Sequence, residues 1–186
     1  MRSLDVFGMR GQDAMEYWDL YNENREKIGK PHKRGEPIPK GTYHLAVNVW
    51  ILNSKGKVLL TQRHPEKMYY GGLWECSASG SVISGEDTLQ GALREVWEEI
   101  GVILSPKDAI LLESARKQYY FRDTYLFIKD IPLDELKLQA EEVIGANWVT
   151  RDEYEGMRDR GLMVPLVIDF WEMYSQWKDG GSESVK

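Results

Sequence analysis

Apolar and polar positions alternate along residues 43–52 in the manner of a half-buried strand, and the apolar run of residues 58–63 follows after a polar Asn53-Ser54-Lys55-Gly56. The two stretches predict a strand, a tight turn and a returning strand. Residues 74–82 predict a further strand. Residues 109–120 and 124–128 read as two more about a turn at Arg122-Asp123, and residues 143–149 as the last. Between them the period changes. At roughly 100° per residue, Leu89, Ala92, Leu93, Val96 and Ile100 fall on one stripe of a helix. Asp87-Thr88-Leu89-Gln90 has the form of a capping box, so this helix should begin at Asp87 or Thr88. Gly101 can end it by adopting the left-handed conformation of a C-terminal cap. A short helix is expected over residues 151–160. Another, over residues 164–177, carries a stripe of Val164, Val167, Ile168, Trp171 and Tyr174.

Ahead of this pattern, residues 16–21 and 27–34 flank a turn at residues 22–25 and predict a hairpin, followed by a linker punctuated by Gly35, Pro37, Pro39 and Gly41. The chain thus divides into an N-terminal hairpin extension with its linker (1–41), a main domain (42–178) and a flexible tail (179–186). Strands and helices mixed in this order predict an α/β fold with a mixed central sheet between helices. An isolated two-stranded hairpin is only marginally stable in water. Tyr17, Trp18, Leu20 and Tyr21 must therefore pack on something. Docking on the hairpin's own domain is the expectation, with homodimerisation through this segment as the alternative.

Composition narrows the class. With 186 residues, 42% of them hydrophobic, the chain can bury a real core. A net charge of −6 leaves no basic stripe for a nucleic-acid polymer. The one cysteine, Cys76, excludes an internal disulfide and suits a reducing compartment. No stretch is long and apolar enough to span a bilayer, and the N-terminal residues lack the apolar run of a signal peptide. The expectation is a cytoplasmic protein that does not bind a nucleic-acid polymer.

The candidate chemistry lies on the first predicted helix. Glu95 and Glu99 sit one turn apart beside its apolar stripe, with Glu98 next round. Like charges so placed destabilise a helix unless something neutralises them. Mg²⁺ answers this with carboxylate, water and phosphate oxygens as ligands. Arg94, four residues before Glu98, can hold a carboxylate by a charge-assisted bond. Gly80, Glu86 six positions on, and Arg94-Glu95-Val96-Trp97-Glu98-Glu99-Ile100-Gly101-Val102 together resemble the Nudix box, with every specified position present. At average residue usage, fewer than about one chain in a million of this length would match by accident. The resemblance implies an α/β/α sandwich and Mg²⁺- or Mn²⁺-dependent hydrolysis of a diphosphate linked to a further group. It implies that Glu95, Glu98, Glu99 and the Gly80 carbonyl hold metal, and that Glu86 and Arg94 orient the cluster. The general base would be a box glutamate or Glu142, which with Glu141 precedes the last strand.

Residues 43–53, Arg63, Lys67, Gly72-Leu73-Trp74-Glu75 and Asn147-Trp148 also resemble the isopentenyl-diphosphate isomerase branch of that superfamily. This resemblance implies that Arg63 and Lys67 contact a substrate diphosphate and that Trp74 and Trp148 lie by the pocket. The isomerase chemistry does not carry over. Its cysteine stands before the box glycine, where this chain has Ser79, and its next histidine is replaced by Ser81. Cys76 falls on the opposite face of an alternating strand and reads as a small buried thiol. His44 matches a metal-ligand histidine of the isomerase, but two co-ligands are missing, which favours a structural role. A diphosphate hydrolase is expected, with an isomerase-like enzyme or a non-catalytic nucleotide-binding module as alternatives.

Overall fold

The computed structural model describes residues 16–167 and 169–180; expectations for residues 1–15, Ile168 and 181–186 lie outside the described residues. In chain order the elements are β1 (Tyr17–Tyr21), β2 (Lys27–Lys33), β3 (His44–Leu52), β4 (Val58–Arg63), β5 (Trp74–Glu75), β6 (Ala78–Ser81) and α1 (Thr88–Ile100). They continue with β7 (Ile110–Arg116), β8 (Tyr120–Ile128), β9 (Val143–Val149), α2 (Arg151–Asp159) and α3 (Phe170–Gly180). β3 is the central strand. It pairs in parallel with β8, from His44↔Tyr120 to Leu52↔Ile128, and antiparallel with β6, where Val47 faces Gly80. β7 lies antiparallel on β8, and β4 carries both β5 and β9 antiparallel.

Alternation along β3 builds a core on each face of this mixed sheet. Leu45, Val47, Val49 and Ile51 meet Ala92, Val96 and Ile100 of α1. Trp50 and Leu52 turn the other way, to Tyr154 of α2 and Phe170 of α3. Each fully buried side chain of this size contributes about 1.5–3 kcal/mol. A slip of one residue would exchange the faces, so the register is fixed from both sides. The result is an α/β/α sandwich. Asp87 caps α1 with a complete capping box, and Gly101 closes it at φ 71°.

Three expectations need correction. Residues 74–82 form two strands, β5 on β4 and β6 on β3, with the crossing at Cys76-Ser77. β3 and β4 pair only at Leu52↔Val58 and then separate. The Ser77 hydroxyl bridges that gap, accepting from Ile51 N–H at 2.8 Å and donating to Leu59 O at 2.7 Å. The turn placed at Arg122-Asp123 lies at residues 117–119 instead, and both charged residues are buried inside β8. Arg122 bonds Glu113 and the Leu166 carbonyl through its two terminal nitrogens, which lets most of the guanidinium be buried. The last helix starts at Phe170, not Val164. Val164 N–H is taken by the Trp74 carbonyl, and residues Pro165–Val167 form a single 3-10 turn.

The predicted hairpin is β1–β2, and it docks on its own domain. Tyr21 and Tyr43 exchange backbone hydrogen bonds, the Trp18 ring stacks on His44 at 4.2 Å, and Arg25 reaches across to Asp123. Among the described residues no helix is long and apolar enough to cross a membrane.

Candidate active site

β6 brings Gly80 against the middle of α1 so closely that a Cβ there would fall into the Glu95 carboxylate. A side chain at this position would have to displace that carboxylate. Around it Arg94, only 5% exposed, uses its whole guanidinium. Nε donates to both oxygens of Glu86 at 3.1 Å, one terminal nitrogen to Glu95 at 2.8 Å and Glu98 at 2.9 Å, and the other to the Ser81 carbonyl at 3.0 Å. Burial opposes the Arg94 charge, but Glu95, Glu86 and Glu98 raise its pKa further above its ordinary value. A lysine has no planar fork with which to hold all three.

Burial raises the pKa of carboxylates in this cluster even where a guanidinium is bonded to them. Burial pushes Glu95 up to about 7, against the pull of Arg94 and with Glu98 adding to the rise. Burial, Glu95 and Glu75 push Glu99 well above its ordinary value, with the Ser79 N–H at 3.3 Å pulling the other way. Glu75 was not expected here. It is buried, takes the Arg63 guanidinium at 2.7 Å and accepts from the Ser79 hydroxyl at 3.1 Å. Ser79 therefore links Glu75 to Glu99. The sequence did hold a signal for Glu75, a lone acid between Trp74 and Cys76 in an apolar strand.

Lys67 forms an ion pair with Glu142. The Glu142 loop is tied to the end of α1, since Gln139 N–H donates to the Glu99 carbonyl and His64 N–H to that of Glu142. The bonds thus run from Arg63 through Glu75 and Ser79 to Glu99, and from Arg94 to Glu86, Glu95 and Glu98, while Lys67 and Glu142 pair with each other. The two tryptophans are engaged elsewhere. Trp148 donates its indole N–H to the Ile131 carbonyl at 2.9 Å and packs on the α1 side, whereas Trp74 packs on the α2/α3 side. His44 packs between Trp18 and Tyr120, with Nδ1 on the Leu45 carbonyl at 3.1 Å. Cys76 is buried in the α2/α3 core, where burial raises its thiol pKa well above the ordinary value.

The donor set fits a hard cation: oxygen ligands only, with one arginine set against three carboxylates and the buried Glu99 beside them. Among the described residues no three Asp, Glu, His or Cys side chains are already gathered as a metal shell. Glu95 and Glu98 are drawn onto Arg94, so metal ligation would exchange some of those bonds.

Comparison with known proteins follows the same lines. The NUDIX domain family matches residues 42–167. An uncharacterised Nudix hydrolase of Listeria monocytogenes is 43% identical over 158 residues, covering 83% of this chain and 91% of that protein. An isopentenyl-diphosphate Δ-isomerase of Pectobacterium atrosepticum is 30% identical over 158 residues, covering 82% and 84%. A crystal structure from Deinococcus radiodurans superposes with a TM-score of 0.67 at 25% identity, covering 80% of this chain and 92% of that one.

Proposed function

The chain belongs to the Nudix family of hydrolases, and on that premise we propose that it is a divalent-cation-dependent pyrophosphohydrolase. Its substrate in this reading is a small organic diphosphate, such as a nucleoside diphosphate derivative, cleaved at the phosphoanhydride. The reading rests on one observation above all, the box carboxylates Glu86, Glu95 and Glu98 held by a buried Arg94 with Glu99 one turn on along the same helix. Glu95, Glu98, Glu99 and the Gly80 carbonyl are the ligands for Mg²⁺ or Mn²⁺. Bound there, such a cation offsets charge on the phosphate oxygens and lowers the pKa of an attacking water.

The chain's own residues do the rest. Arg94 and Glu86 keep the carboxylates fanned along one edge of α1. Arg63 and Lys67 bind the diphosphate, one through a planar fork and the other as a mobile point charge. Glu142, once released from Lys67, or a box glutamate takes the proton from water. Trp74 and Trp148, which pack on opposite sides of the sheet, take no substrate contact in this reading. A reducing, cytoplasmic setting belongs to the same reading.

An isomerase reading is favoured by the 30% identical relative of that name. Against it, Ser79 stands where that enzyme's cysteine would be, with its hydroxyl on Glu75. Incubation with isopentenyl diphosphate should yield no dimethylallyl diphosphate by NMR.

The deciding experiment is a panel of diphosphates with Mg²⁺ or Mn²⁺, read by phosphate or pyrophosphate release. Glu98→Gln removes a ligand charge with little change of shape. It should lower turnover by at least the ~10–100-fold typical of lesser changes around a metal. Full turnover in Glu98→Gln, or tight binding of a partner with no turnover of any diphosphate, sinks the proposal.

A further inference from the structure

The loop from β6 to α1 carries Glu86, and β1 holds that loop. Residues 83–86 make a turn in which Glu86 N–H bonds the Ile83 carbonyl at 3.1 Å and Gly85 takes φ 92°, a conformation other residues rarely adopt. Such a turn directs polar groups outward, and they need partners. β1 supplies them. The buried Asp19 carboxylate accepts from the Ser84 hydroxyl at 2.8 Å and from Gly85 N–H at 2.9 Å, while the Tyr17 carbonyl takes Ser84 N–H at 2.7 Å. Lys27 of β2 neutralises Asp19 at 2.6 Å. The next residue along the loop is Glu86, whose two oxygens fix the Arg94 guanidinium, and Arg94 in turn holds Glu95 and Glu98. The hairpin also grips the start of the helix. Arg25 pairs with Asp123, and that same carboxylate accepts from the hydroxyl of Thr88, the first residue of α1, at 2.6 Å.

We infer that Asp19 is a positioning residue for the carboxylate cluster, acting through Ser84, Gly85, Glu86 and Arg94, so that the hairpin is part of the cation site though it supplies no ligand. The inference rests on the metal-dependent reading of the cluster. Outer partners that orient ligands typically account for ~10–100-fold in metal affinity. Asp19, further out, belongs at the low end of that range.

The test is Mn²⁺ binding to the full chain, followed by the electron paramagnetic resonance of free Mn²⁺ in titrations, with thermal unfolding measured beside it. Asp19→Ala should weaken Mn²⁺ binding by about tenfold while the protein stays folded. Asp19→Asn, whose amide oxygen can still accept from Gly85 N–H, should recover part of that loss. Ser84→Ala, a milder change that keeps the chain folded should Asp19→Ala not do so, should shift binding in the same direction. Leu20→Ala is the control, since it removes a buried apolar contact of the same strand and no bond to the loop. It should lower the unfolding temperature and leave Mn²⁺ affinity unchanged. Wild-type affinity in Asp19→Ala or in Ser84→Ala overturns the inference, as does an equal loss in Leu20→Ala. Wild-type protein that binds no Mn²⁺ overturns the metal-dependent reading itself, a separate and recognisable failure.

Discussion

His44 shows how neighbours decide what a titratable side chain does. The motif position alone suggested a metal ligand, but in the fold its ring lies flat on Trp18 at an interplanar angle of 14° and beside Tyr120. Burial drives its pKa down from 6.5 to about 4, against the Leu45 carbonyl and with Arg34 and His32 adding to the fall. A histidine whose folded pKa is depressed stabilises the neutral form. Its contribution is complete above pH 6.5 and is lost as pH falls through 6.5 towards about 4, because the unfolded chain takes up the proton first. His44→Phe keeps an aromatic ring on Trp18 and cannot titrate. Urea unfolding at a series of pH values should show the wild type losing stability relative to His44→Phe across that window. Parallel curves would mean that His44 is not buried neutral. At this scale the sequence disclosed the carboxylates, because their spacing on one helix is local. It did not disclose Ser79 as the link between Glu75 and Glu99, because the bond to Glu99 depends on β6 lying against α1.

Among the elements, α1 was the most legible. Its apolar stripe, capping box and terminal glycine all specify the same thirteen residues, so local and tertiary preferences agree. Elements whose bounds depend on distant partners were not legible. The break between β5 and β6 exists because Ser77 bridges strands that separate after one pair, and the strand through Arg122-Asp123 continues because Glu113, Arg25 and Thr88 satisfy the two charges inside. The junction of β6 with α1 carries a sharper consequence. Gly80 does not adopt a left-handed φ, so a methyl group is excluded by the Glu95 carboxylate alone. Gly80→Ala must displace the Glu95 carboxylate, the end of a flexible side chain, from its bond to Arg94. Loss of such a charge-assisted bond costs about 1.5–3 kcal/mol. The variant should lose that much stability in urea and lose turnover more than proportionately, since the displaced group is a proposed ligand. A variant with native stability and turnover would show that the closeness of β6 to α1 is not functionally required.

At the scale of the molecule, the hairpin that sequence set apart as residues 1–41 is joined to the main domain by polar bonds at both ends. Asp19 binds the loop before α1, and Arg25 gives two bonds to Asp123, at 2.9 and 2.5 Å. Asp123 is 5% exposed and keeps Ser114 and Thr88 as partners without Arg25. Arg25 itself is about one-third exposed, so solvent screens part of the pair. Arg25→Ala should therefore cost roughly 2 kcal/mol, the scale of hydrogen bonds to a charged group, and not the full penalty of a buried ion left alone. Removing residues 1–40 takes away both attachments together and uncovers the edge where Tyr21 bonds Tyr43. The shortened chain should unfold at lower temperature and turn over more slowly, with its light-scattering mass showing the same oligomeric state as the full chain, because Trp18, Leu20 and Tyr21, the apolar side chains that call for a partner, are already covered on the hairpin's own domain. A fall from dimer to monomer on truncation would instead assign the hairpin to the homodimer contact. Unchanged stability and turnover would mean that these bonds contribute nothing that the main domain lacks.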